Sequence, residues 1–169
     1  MGKPAARVND PVAHPLPPVL TGAGSQNVII GRLPAWRGIP KGAAASVQSQ
    51  KNASDKELNA AKAATIASGN SPAAKQEEEK KQRNQAASMG QTILDSVKRA
   101  ATAKGGIPDI HNCATPMPIP PHGPGVVLNG STTVMINGLP ACRQGDTITE
   151  AIGPPNKITG GCMNVLIGG

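Results

Sequence analysis

The sequence predicts a mainly β fold, a cone of three similar units interrupted by an inserted helical hairpin. The first observation is a recurring pattern. Pro4-Ala5-Ala6-Arg7 leads through Asp10 to Gly24-Ser25-Gln26-Asn27-Val28-Ile29-Ile30-Gly31. Leu33-Pro34-Ala35-Trp36-Arg37-Gly38 resumes much later at Asp109 and leads to Gly130-Ser131-Thr132-Thr133-Val134-Met135-Ile136-Asn137-Gly138. Leu139-Pro140-Ala141-Cys142-Arg143 leads through Asp146 to Gly161-Cys162-Met163-Asn164-Val165-Leu166-Ile167-Gly168. Such self-similarity fixes an architecture of repeated units before any single element is assigned. The second observation is that the large apolar residues fall in short β-branched runs bounded by turn residues. The third is a shift to Ala, Lys, Gln, Glu and Ser over residues 41–105.

The strands are expected at Val28–Ile30, Val126–Leu128, Val134–Ile136 and Val165–Ile167. Asn137-Gly138 is a strong two-residue hairpin signal, because both residues tolerate positive φ. Gly31-Arg32 holds the matching place in the first unit. Residues 1–40 and 106–169 therefore form the β cone, whose strands bury aliphatic faces on one another around a pseudo-threefold axis.

Within residues 41–105, Ser54-Asp55-Lys56-Glu57 has the spacing of a capping box. Asn70-Ser71-Pro72 restarts the chain with a capping serine and a proline suited to the first helical position. Helices are expected over 55–68 and 72–103, the second ended by Gly105-Gly106. Met89, Ile93 and Val97, with Leu94 beside them, give that helix a narrow apolar stripe which Leu58 and Ile66 are placed to face. A stripe this thin suits either a solvated excursion or a docking arm.

The material for a core is sparse. There is no Phe or Tyr and one Trp, while Gly and Pro supply 20 and 17 residues. Little apolar area is buried per residue, so an added staple is expected. Three cysteines cannot all pair within one chain, and no N-terminal apolar run reads as a signal peptide or membrane span. Synthesis in a reducing cytoplasm is expected, which favours a metal over disulfides. The net charge of +7 is scattered and lacks the aromatic residues that stack on bases, so nucleic acid is not an expected partner.

Six residues can bind a soft or borderline metal: His14, His111, His122, Cys113, Cys142 and Cys162. Cys142 stands in the slot of Ala6 and Trp36, and Cys162 in the slot of Ser25 and Ser131, so packing or turn geometry is the favoured reading of both. His111 and Cys113, two apart, project to one face of an extended segment. His122 follows the stiff Pro-rich path of residues 114–121. His14, His111, Cys113 and His122 all lie in expected tip loops, and three imidazoles with one thiolate would close a tetrahedral zinc site. Cys162 is the alternative fourth ligand. The third unit, with Thr147-Ile148-Thr149-Glu150 after Asp146, is expected to supply shape rather than ligands. Arg7, Arg37 and Arg143 are placed to pair with Asp10, Asp109 and Asp146 across units through bidentate hydrogen bonds.

These units resemble the PAAR-repeat family, named for the Pro-Ala-Ala-Arg at residues 4–7. The resemblance covers residues 1–40 and 106–169. It implies a conical, PAAR-type β tip with one structural zinc per chain, held by three His and one Cys. It also implies a trimeric spike partner, VgrG-like or phage-tail-spike-like, in a type VI secretion system or related contractile injection machine. One chain would cap each trimer and be exported with the spike to the exterior or target cell.

Three function classes follow. A rigid tip that pierces an envelope is the leading one, and the protein is then not an enzyme. An adaptor would recruit an effector or chaperone through residues 41–105. A zinc hydrolase would need an open metal position with Glu150 as the nearest general base, and no HExxH motif is present.

Overall fold

The computed structural model describes residues 2–104, 106–116 and 120–169, the side chains of 102–104 excepted. Gly105 of the expected helix stop and residues 117–119 of the Pro-rich path lie outside the described residues. In chain order the elements are β1 (Lys3–Ala5), β2 (Ile29–Ile30), β3 (Leu33–Pro34), α1 (Lys41–Ala67), α2 (Pro72–Lys104), β4 (His111–Pro116), β5 (Pro121–Val127), β6 (Met135–Ile136), β7 (Leu139–Pro140), β8 (Thr147–Glu150), β9 (Asn156–Lys157) and β10 (Cys162–Ile167). Short strands dominate the order of elements, and the two helices hold 27 and 33 residues.

The hairpins form where turn chemistry allows. Between β2 and β3, Gly31 and Arg32 have φ of 54° and 71°; between β6 and β7, Asn137 and Gly138 have 53° and 72°. Two successive positive φ values are the signature of a type I′ turn, whose twist suits a hairpin. The third unit differs, because β10 pairs antiparallel with β1 from the other end of the chain.

The three Ala-x-Arg blocks meet in a closed ring. Ala6 N donates to Cys142 O (2.9 Å), Cys142 N to Trp36 O (3.0 Å) and Trp36 N to Ala6 O (2.9 Å). Isolated bridges join Ala5 to Arg143, Arg7 to Ala35 and Arg37 to Ala141 in the same cyclic order. Ala6, Trp36 and Cys142 are buried together with Val12, Leu20, Val127, Ile148 and Ile158. Cys142 therefore packs as a small apolar side chain, and its complete burial pushes the thiol pKa well up. A second layer holds Ala5, Ile30, Ala35, Ile136, Ala141, Cys162 and Ile167.

Each unit carries the same Arg–Asp clasp, and the pairs lie within units rather than across them. Asp10 accepts from the Arg7 main-chain N (2.7 Å), Nε (3.1 Å) and NH2 (2.7 Å). Asp146 accepts from Arg143 N, Nε and NH2 at 2.9, 3.2 and 3.0 Å. Asp109 does the same for Arg37 at 2.8, 3.0 and 3.2 Å, although 72 residues separate them. Units are joined instead by the second hydrogen of the same guanidinium nitrogen: Arg37 NH2 also donates to Gly24 O, and Arg143 NH2 to Asn129 O. Burial raises the carboxyl pKa of Asp109 and Asp146, against the lowering effect of their arginines.

The helices leave and re-enter the chain inside the second clasp. α1 starts at Lys41, fourteen residues before the expected start at 55, and Ser54 is a buried mid-helix residue rather than a cap. Its buried positions are Ala44, Val47, Lys51, Ser54, Leu58, Ala61 and Thr65, spaced alternately three and four apart. That is a heptad seam. Met89, Ile93 and Val97 of α2 pack not on Leu58 and Ile66 but on Ile39, Ala44, Val47, Val126 and Ala151. Ile66 is exposed.

β4, β5, β8 and β9 form a four-stranded antiparallel sheet in that order. β4, β8 and β9 hold no run of large apolar residues. Their pairing is instead permitted by glycine. His111, Gly125 and Glu150 lie in one row across β4, β5 and β8, and a Cβ on Gly125 would come within 2.8 Å of the Glu150 side chain.

Candidate metal centre

Four side chains from four segments converge at one edge of this sheet. His14 comes from the long loop after β1, Cys113 from β4, His122 from β5 and Glu150 from the end of β8. The expectation that all four predicted ligands lie in loops is corrected: His111, Cys113 and His122 are strand residues. Alternation along β4 buries His111 and Cys113 and exposes Asn112, as a two-residue period requires.

One ligand atom from each of His14, Cys113, His122 and Glu150 lies within 4.8 Å of every other. His14 Nδ1 is 3.3 Å from His122 Nδ1 and 3.6 Å from Cys113 Sγ. Glu150 Oε2 lies 3.0 Å from His14 Nδ1 and 2.8 Å from His122 Nδ1. Such a group could hold a metal ion. Two imidazoles, a thiolate and a carboxylate are a donor set that suits zinc.

His111 is fully buried but stands apart from this foursome. Its Nε2 lies 3.9 Å from Glu150 Oε1 and 3.4 Å from Asn156 Nδ2, and its Nδ1 has no hydrogen-bond partner among the described residues. Burial lowers its pKa and holds the ring neutral. Cys162, the alternative fourth ligand, packs with Ala5 and Ile30 in the layer of the strand hairpins. Burial also raises the Cys113 thiol pKa, so the thiolate needs a cation beside it to form readily.

Two residues of this site were not expected. Glu150 corrects the reading of the third unit as a source of shape alone. Asn156 acts as a hub: its Nδ2 donates to Glu150 Oε1 (2.9 Å), and its Oδ1 accepts from the His14 main-chain N (3.0 Å). The signal for Glu150 was present in the repeat register. His14, Cys113 and Glu150 each stand four residues after the clasp aspartate of their own unit, Asp10, Asp109 and Asp146.

The surrounding wall is close. Ile152 N donates to His122 O (3.2 Å), and at Gly153 (φ 86°) an added Cβ would fall 2.6 Å from His122 Nε2. From α1, the buried Lys51 Nζ reaches Gly153 O (3.2 Å) and pairs with Asp55.

No curated protein and no solved structure matches the chain. A family model of the PAAR motif matches residues 119–169. The matched span runs from just before β5 to the end of β10, and includes His122, Glu150 and the third Arg–Asp clasp. Residues 119–169 thus carry the PAAR motif that this family model describes.

Proposed function

We propose that this protein is a metal-stabilised tip that caps a trimeric β-helical spike of a contractile injection or secretion machine, one chain per trimer, and helps pierce the target envelope. The observation that carries the reading is a threefold set of outward apolar side chains. Ile29, Met135 and Leu166 hold equivalent places in the three units and are 56%, 53% and 61% exposed. Each precedes a buried isoleucine, Ile30, Ile136 or Ile167, that packs in the shared layer beneath. Three equivalent apolar contacts in one chain suit a partner with a threefold end.

The proposal includes one structural zinc per chain. His14, Cys113 and His122 are three of its expected ligands; His111, the fourth, meets the cluster through Glu150. Bound there, the ion would cross-link the loop after β1 to β4, β5 and β8, which suits an apex with little hydrophobic core. Both Glu150 oxygens are engaged by His14, His122 and Asn156, a poor arrangement for a general base. Catalysis is therefore not part of the proposal. In sequence, residues 41–105 are an insertion in a β unit made of 1–40 and 106–169, and docking of an effector or chaperone would fall to its exposed helical faces.

The test is binding to a trimeric spike protein, read by native mass spectrometry. The wild-type chain is expected at one copy per trimer. Combined Ile29→Ser, Met135→Ser and Leu166→Ser substitution should abolish that species while leaving the metal-loaded monomer folded. Retained binding by the triple variant would retire this surface as the spike-facing one.

A further inference from the structure

We infer that Glu150, and not His111, completes the metal-binding set, so that the ion is held by two imidazoles, one thiolate and one carboxylate. This rests on the metal-binding reading above and deepens it. Two independent observations carry it.

The first is the spacing of the donors. A tetrahedral site with metal–nitrogen bonds near 2.05 Å and a metal–sulfur bond near 2.3 Å has edges of about 3.3 Å between nitrogens and about 3.6 Å from nitrogen to sulfur. His14 Nδ1 and His122 Nδ1 are 3.3 Å apart, and Cys113 Sγ is 3.6 Å from His14 Nδ1. Glu150 Oε2, 3.0 and 2.8 Å from the two imidazole nitrogens and within 4.8 Å of Cys113 Sγ, is the donor nearest the remaining corner and needs a shift of only a few tenths of an ångström to reach a tetrahedral edge. No ring nitrogen of His111 joins the group in which every donor is within 4.8 Å of the others.

The second is the repeat register. The residue four past the clasp aspartate is His14, Cys113 and Glu150 in the three units, so each unit contributes one donor from the same slot. The residue two past that aspartate is Val12, His111 and Ile148. Val12 and Ile148 are core residues, packed together around Trp36. His111 thus stands in a slot that faces the interior, where its row neighbour across Gly125 is Glu150. From there it meets the carboxylate through Asn156, whose Nδ2 lies 3.4 Å from His111 Nε2 and donates to Glu150 Oε1 at 2.9 Å, as outer partners of metal ligands commonly do.

X-ray absorption on the zinc-loaded wild-type chain tests this without any substitution, because imidazole rings scatter in a way that allows them to be counted. Two imidazoles, one sulfur and one oxygen are expected. Three imidazoles and one sulfur would overturn the assignment to Glu150 and leave the metal-binding reading standing. Zinc absent from the purified chain and not taken up on titration would overturn both.

Cobalt titration of variants supplies a second measurement, read from the thiolate-to-cobalt absorption with Cys113→Ser as the blank. Glu150→Gln should weaken cobalt binding by more than a hundredfold. His111→Gln should weaken it only within the roughly 10–100-fold range of an outer partner. The opposite ranking would make His111 the ligand.

Discussion

A methyl group on Gly153 has no room, since it would press on His122 Nε2 at 2.6 Å, and the φ of 86° is one that side chains rarely adopt. Gly153→Ala should therefore displace the His122 ring and reduce zinc affinity by about 10–100-fold, as loss of a supporting contact does; isothermal titration of the variant would show it. The clasps give a second prediction at this scale. Arg37 and Asp109 are both buried, so Asp109→Ala leaves a guanidinium without its counter-charge and should cost about 3–5 kcal/mol in denaturant unfolding. Arg7 is more exposed, and Asp10→Ala should cost less. At this scale the sequence was readable for residue types and less so for their roles. Cysteine slots were decided by comparison between units, because Ala6, Trp36 and Cys142 share one ring. Glu150 is hard to read because the register that aligns it with His14 and Cys113 needs all three aspartates matched, and the second is 72 residues from its arginine.

The helices show what polar seams conceal. In α1 the heptad positions are filled by Ala, Val, Lys, Ser, Leu, Ala and Thr, so no stripe of large apolar residues announces the helix before residue 55. A helix of this kind is stabilised by tertiary contact more than by its own propensity. Ser54, whose spacing suits a cap, is a mid-helix residue with a buried hydroxyl that has no hydrogen-bond partner among the described residues. Ser54→Ala removes that unpaired group and adds helix propensity, so the thermal midpoint should rise, by about 1–2 kcal/mol in stability terms. The stripe Met89, Ile93 and Val97 was legible because its residues are large, but its target was not, since Val126 and Ala151 belong to strands distant in sequence. Lys51 links the two systems through Gly153 O. Lys51→Met should speed hydrogen exchange at residues 151–153 with helix content unchanged in circular dichroism.

For the whole molecule, the three-unit plan was legible because Ala-x-Arg and the strand runs repeat, and the ring through Ala6, Trp36 and Cys142 joins those same blocks. The four-stranded sheet was not, because Gly125 makes room for the Glu150 side chain where a period of large apolar residues would ordinarily mark a strand. Replacing residues 41–104 by a short glycine-rich link removes none of the four clustered donors but uncovers Val126 and Ala151. The shortened chain should keep one zinc by native mass spectrometry and melt at a lower temperature than the full chain. Among the described residues, no helix is long and apolar enough to cross a membrane.

The placement of the helices inside the second clasp also has a bearing on how the chain finds its shape. In the first and third units, arginine and aspartate are three residues apart and meet with little search. In the second, the ends of a 72-residue segment must meet, and loop-closure entropy for a flexible chain of that length would exceed that of a three-residue turn by about 3 kcal/mol. An antiparallel helical hairpin brings its own ends together from local contacts alone, which form quickly. Once α1 and α2 have paired, the chain beyond Gly38 returns to within reach of its starting point, and the long loop closes with nearly the entropy of a short one. The ring then has three comparable turns to assemble, and the order of events is set by the hairpin.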